Sequence, residues 1–195
     1  MEHTSGHLAH KASAPYASKV AIAQALAAMG ARAVTITAVA RTKPADSRAI
    51  YKEVNGTQSL SGQTPTNHEW FLGSRTLRLQ AAFLLLMYAD YRDRHSAEAD
   101  AHGIAFTLAY HNYRRLYPHD VLISPERLAL LIGGGYSIGW REIPKGGSSK
   151  FLAGNVKVAK CRCCGLPHLV EAHFRKYECT DCVAKADDVP MLLAA

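Results

Sequence analysis

The first 160 residues of this 195-residue chain contain no cysteine. No disulfide or thiolate metal site can therefore form within them, and whatever they fold into must be held by packing. Long apolar runs are missing too. The longest, AAFLLLMYA at 81–89, falls well short of the ~20 residues of a membrane span, so no membrane association is expected. The N-terminus, MEHTSGHLAHKASAPY, lacks the apolar centre of a signal peptide. The expected location is the cytoplasm, where thiols stay reduced. Catalytic signatures are also absent. There is no G-x-S-x-G, P-loop or H-E-x-x-H, the ten histidines are scattered, and the triple glycine at 133–135 is too unspecific to be a phosphate loop. No enzyme is expected. Finally, acidic residues are short. Sixteen Asp and Glu face 23 Lys and Arg, giving a net charge of +7 and a pI of about 9.2. That balance favours an acidic partner, nucleic acid first.

What is present suits one domain with a small appendage. Hydrophobic residues make up 48% of the chain, enough for a core. Apolar spacing predicts a helix over 16–30, stopped at Gly30. Two shorter helices follow within 31–54, broken near RTKP, where Pro44 suits the first turn of a new helix. The stretch 55–66 is a loop by composition. Thr66 stands three residues before Glu69, a capping-box spacing, and predicts a long helix over 69–94. Another is expected over 98–116, ending at Tyr117 before Pro118. A shorter one fits 125–132.

After this the period falls to two. Val156 and Val158 share one strand face; Val170, Ala172 and Phe174 share another. The expected organisation is a disordered tail over 1–14, a helical DNA-binding and partner-binding domain over 15–141 and a linker over 142–154. A four-cysteine module follows over 155–185, and a C-terminal tail over 186–195. The fold class is mainly α, a helical body with a loose helix-turn-helix followed by a small zinc-ribbon-like module.

All five cysteines lie in CRCCGLPHLVEAHFRKYECTDC, residues 161–182. Cys161 and Cys164 form one C-x-x-C, and Cys179 and Cys182 form a second. Two such pairs, separated by a length that lets a strand leave and return, have the layout of a zinc ribbon. Gly165 suits the left-handed backbone of the first turn. One Zn2+ held by Cys161, Cys164, Cys179 and Cys182 would be closed to water and structural. Cys163 is left as the spare thiol. His168 and His173 are the other candidate ligands, but four cysteines suffice, and both histidines are placed on the strand surface. Between 157 and 176 stand Lys157, Lys160, Arg162, Arg175 and Lys176, against one acid, Glu171. Such a ribbon suits phosphate contacts; a merely solvated surface is the alternative.

TAVARTKPADSRAIYKEV, residues 37–54, has the outline of a helix-turn-helix. Ala40 is the small residue at the crossing, 42–44 the turn, and Ile50 the core anchor. Arg48 and Lys52, at i and i+4 with Ser47 nearby, would face a major groove, with Arg41 and Lys43 beside the turn. An ordinary pair of packed helices is the alternative. Phe106, Tyr110, Tyr113 and Tyr117 form one helical stripe. It is assigned to the core, as are Leu77, Leu84 and Tyr88; a partner surface is the other use of such a stripe.

In order, the chain shows MGAR, IYKEVNG, EWF, long helices and a closing CRCCG…CTDC. This order resembles the FlhC family, subunits of the bacterial flagellar master transcriptional activator, from about residue 27 onward. The resemblance implies a hetero-oligomer with a small helical FlhD-like subunit, binding to promoter DNA, recruitment of RNA polymerase to flagellar (class II) operons, and a structural zinc on the four paired cysteines. The chain departs from that pattern in a longer 133–154 approach, a slightly short cysteine spacer and a less basic tail. Relatives on mobile elements activate conjugative-transfer genes, which is one alternative. A protein–protein zinc-ribbon adaptor without direct DNA contact is another.

Overall fold

Gly30 ends the first helix. Its φ is +86°. The Ala31 N–H bonds to the Leu26 carbonyl and the Gly30 N–H to the Ala27 carbonyl, each at 3.0 Å. These are the 6→1 and 5→2 bonds that close a helix around a left-handed residue. A computed structural model describes residues 6–132, 151–153 and 156–187. The helix ending here, α1, spans Gly6–Ala28. The expected disordered tail is therefore corrected for residues 6–14, which are helical; 1–5 lie outside the described residues. The local sequence is rich in alanine, the best helix former, and Pro15 removes one donor without stopping the helix.

The next two elements match the expected break. They are α2 (Ala33–Ala40) and α3 (Pro44–Asn55), with Pro44 in the first turn. The turn runs 41–43, one residue earlier than expected, because Pro44 is already helical. Arg41 takes φ 55°, the conformation a glycine would otherwise supply. No local side chain caps α2. Its first N–H groups are taken from a distance: Arg32 N bonds to Glu126 Oε1 at 2.9 Å, and Ala33 N to Ser59 Oγ at 2.9 Å. Ala40 and Ile50 are buried, as expected.

The long helix expected over 69–94 is two elements. A 3-10 turn, Glu69–Leu72, is followed by α4 (Arg75–Arg94). Gly73 and Ser74 break it, and Ser74, not Thr66, is the cap, its Oγ accepting from Leu77 N at 3.2 Å. Helix α5 (Ala101–Leu116) starts slightly later than expected and stops before Pro118; α6 is Pro125–Leu131. No helix among the described residues is long and apolar enough to cross a membrane.

Helices α4 and α5 pack side by side, and α1 crosses α5 at Gly103. A Cβ there would stand 3.0 Å from Ile22 Cδ1 and 3.3 Å from the Val39 carbonyl, so a side chain at this crossing would require Ile22 to shift. The aromatic stripe is core: Phe106, Tyr110 and Tyr113 are buried. So are Leu77, Leu84 and Tyr88. The stripe also carries polar work. The Tyr113 hydroxyl accepts from Leu122 N and Ile123 N at 3.1 and 3.0 Å and donates to Gln80 Oε1. Gln80 Nε2 in turn donates to the Asp120 carbonyl at 3.0 Å. The α5–α6 loop is thereby fixed to α4.

The strands are β1 (Phe151–Ala153), β2 (Val156–Lys160) and β3 (Pro167–Glu171), antiparallel in the order β1-β2-β3, followed by α7 (Thr180–Asp187). The expected linker over 142–154 is corrected at 151–153, which pair with β2. Residues 133–150 and 154–155 lie outside the described residues, as do 188–195 of the tail. The module is not a separate appendage. Strand β3 packs on α4, and Val156, Val158 and Leu169 join the main core. The face expected through Ala172 and Phe174 is also corrected. The strand ends at Glu171, and Pro167 to Val170 are buried in succession. Alternation is lost because both faces of β3 are covered.

Candidate metal centre

The first cysteine pair sits at the turn between β2 and β3. Gly165, at φ 73°, reverses the chain, and its N–H bonds to the Cys161 carbonyl at 2.9 Å. Cys161 N bonds to the Leu166 carbonyl at 2.9 Å, closing the knuckle. The second pair flanks the start of α7, where Cys182 N and Val183 N both bond to the Cys179 carbonyl. The expected returning strand is absent here. The chain comes back through an irregular turn and presents Cys179 just before the helix, where the exposed N–H groups favour a thiolate. Two bonds tie the pairs together. Arg162 N reaches the Tyr177 carbonyl at 2.9 Å, and Cys179 N donates to Cys161 Sγ at 3.3 Å.

The sulfurs of Cys161, Cys164, Cys179 and Cys182 all lie within 4.8 Å of one another, with Cys164 and Cys179 at 3.9 Å. A tetrahedral ion with bonds of about 2.3 Å needs sulfurs about 3.8 Å apart. The four cysteines fit a single ion. Cys161 and Cys179 are buried, Cys182 half-buried and Cys164 exposed. Burial opposes ionisation at Cys161, but N–H donors from Cys164, Cys179 and Cys163 outweigh it and bring the thiol down to about 6. Cys179 is lowered too. Burial again opposes, and the Cys182 N–H, the Cys182 thiol and Arg75 prevail. Cys182 is pushed up, first by its hydrogen bond to Cys179. Cys161 and Cys179 are thus the thiols that ionise more readily, and a cation would displace the remaining protons.

Cys163 is exposed and outside the cluster, as expected. His173 is exposed, its ring stacked on Phe174. His168 corrects the expectation of a strand-surface position. It is fully buried, its ring 5.2 Å from Tyr177, and neither ring nitrogen has a hydrogen-bond partner. Burial first, then Arg75 and Arg78, lower its pKa. Its ring is not among the clustered ligands.

Sequence reasoning missed the residues that dock the centre. Arg75 Nη1 lies 3.1 Å from Asp181 Oδ2, and the neighbouring Cys179 sulfur is the first cause of a raised Arg75 pKa. Arg78 Nη1 lies 3.6 Å from Glu171 Oε2, and its Nε donates to the Leu72 carbonyl at 3.0 Å. The available signal was two arginines at i and i+3 in the first turn of a helix, where cations are disfavoured unless paired.

The basic candidates fall in two groups. Arg41, Lys43, Arg48 and Lys52 are exposed on α3 and the turn before it. Ser47 is not beside them at the surface. It is fully buried, bonded to Thr37 and Thr42 at 2.7 and 2.6 Å. Lys160, Arg162, Arg175 and Lys176 are exposed around the cysteine knuckle, and Lys157 is half-buried on β2. No protein-family model matches this chain, and no curated protein does either.

Proposed function

We propose that this chain is a DNA-binding transcriptional activator subunit of the FlhC type. It acts in the cytoplasm with an FlhD-like helical partner to activate flagellar (class II) operons through RNA polymerase. It works by binding and performs no catalysis. The observation that carries this reading is the basic face of α3 and its turn. Arg41, Lys43, Arg48 and Lys52 are all exposed, and none is in an ion pair among the described residues. Solvated, unpaired cations on a short helix after a tight turn are what phosphate and major-groove contacts use. The helix is held from behind by Ser47, Ile50 and the Thr37–Thr42 hydroxyls.

The metal in this reading is one Zn2+ per chain on Cys161, Cys164, Cys179 and Cys182. Four thiolates at tetrahedral spacing select zinc or iron, and zinc is the non-redox choice for a purely structural role. The deciding experiment measures promoter binding by the chain with its partner across a salt series. Sequence-selective affinity that falls steeply with salt supports the proposal. Transcriptional activation that survives without any DNA binding by this chain would replace it with the adaptor reading.

A further inference from the structure

Four rings run in a row through the cysteine module. His168 is buried and lies 5.2 Å from Tyr177; Tyr177 is half-buried and meets Phe174 edge-on at 6.4 Å. Phe174 then stacks on His173 at 4.7 Å and 26°. The row passes from core to solvent, where Phe174 is 38% exposed and His173 is exposed. A large apolar ring held at the surface by rings behind it is an anchored platform. The backbone supports it: Phe174 N bonds to the Glu171 carbonyl at 3.2 Å, and the Tyr177 carbonyl accepts from Arg162 N.

The charge around the platform is one-sided. Lys160, Arg162, Arg175 and Lys176 are exposed, and none is in an ion pair among the described residues. The acids of 156–184 are Glu171, Glu178 and Asp181. Glu171 is held by Arg78 and Asp181 by Arg75, so the helical body neutralises two of the three, and Glu178 is the remaining one. Cations beside an exposed stack of flat rings match the two halves of a nucleotide, phosphate and base.

The geometry points to His173 and Phe174 as a stacking platform for one unpaired nucleobase of a single strand, with Arg162, Arg175 and Lys176 on the flanking phosphates. It rests on the nucleic-acid reading above for the class of partner, and adds a separate site with a different strand form. A stacked pair presents one flat face, which suits a splayed base end-on better than a wedge between paired bases.

The test uses the full metal-loaded chain and a single-stranded oligodeoxythymidylate carrying one 2-aminopurine. An oligouridylate arm distinguishes DNA from RNA. The wild type should bind and quench the 2-aminopurine. Phe174→Leu, which keeps an apolar side chain, should lose about tenfold or more in affinity along with the quenching, and Phe174→Tyr should restore both. His173→Ala should move in the same direction, and metal content should be unchanged throughout. Wild-type failure to bind either single strand overturns the inference. So does an unchanged affinity and quench in both Phe174→Leu and His173→Ala. Duplex promoter binding, measured on the same variants with the partner, should persist in Phe174→Leu; its absence in the wild type would instead count against the proposed function.

Discussion

Arg75, in the first turn of α4, reaches Asp181, in the first turn of α7, at 3.1 Å. Asp181 stands between Cys179 and Cys182, so this pair connects the helical body to the backbone of the four-cysteine cluster itself. Three residues on, Arg78 does the same for the end of β3 through Glu171. Both arginines sit where a helix dipole disfavours cations, and both find carboxylates there.

Removing Arg78 should therefore loosen the seam. Arg78→Ala leaves the Leu72 carbonyl without its donor and takes the cation away from a buried Glu171 oxygen that has no hydrogen bond. The expected loss is about 1–3 kcal/mol of stability. Urea unfolding measures the total, and hydrogen exchange in β3 should rise ahead of exchange in α5.

The cysteines should separate cleanly by metal analysis. Wild type should carry about one metal per chain, as a four-thiolate site requires. Cys161→Ser should lose the metal and the circular-dichroism signature of a folded module. Cys163→Ser should keep both, because its sulfur lies outside the cluster.

Tyr113→Phe tests the loop anchor. It deletes one hydroxyl and leaves Leu122 N, Ile123 N and Gln80 Oε1 without that partner. The expected cost is about 2–4 kcal/mol, from buried polar groups left unpaired. A loss under about 0.5 kcal/mol in chemical denaturation, the scale of an ordinary surface change, would mean that the loop finds other partners.

Acid should destabilise the body through His102. Burial first, then Arg41 and Arg92, lower its pKa from 6.5 to about 4. Between those values the unfolded chain binds the proton and the folded chain does not. Stability is therefore present above about 6.5 and is lost as the pH falls toward 4. At about 1.4 kcal/mol per unit, the full effect is on the order of 3 kcal/mol. His102→Gln should flatten the stability profile between pH 7 and pH 5, measured as the difference from wild type so that the cysteines cancel.

The double change Arg48→Ala with Lys52→Ala should reduce the slope of log affinity against log salt by about 2, one per lost phosphate contact. An unchanged slope would take α3 out of the DNA interface.

Much of this was legible in the sequence. Gly30, Pro44 and Pro118 fixed helix ends through backbone rules that tertiary contacts rarely override, and the aromatic spacing of α5 marked a core stripe. The two C-x-x-C pairs identified the four clustered cysteines. What escaped was set by distant partners. Glu126 caps α2 from 94 residues away, a relation that no local pattern carries. Strand β3 lost its alternation because α4 covers a face that the sequence offers no reason to bury. The break at Gly73–Ser74 was written in the residues, but the spacing of Thr66 and Glu69 competed with it. His168 looked like a surface residue only because the strand was taken to have a free side.

The joining of Val156, Val158 and Leu169 to the main core has a consequence for how the chain can be divided. A fragment of the helices alone would leave an oily scar on α4, and a fragment of the cysteine segment alone would lose the floor it stands on. The four-cysteine segment is not a cassette that can be cut out and traded. Occupancy of the four sulfurs and integrity of the helical body should be felt by each other, so chelation would be sensed as far away as the packing around α4.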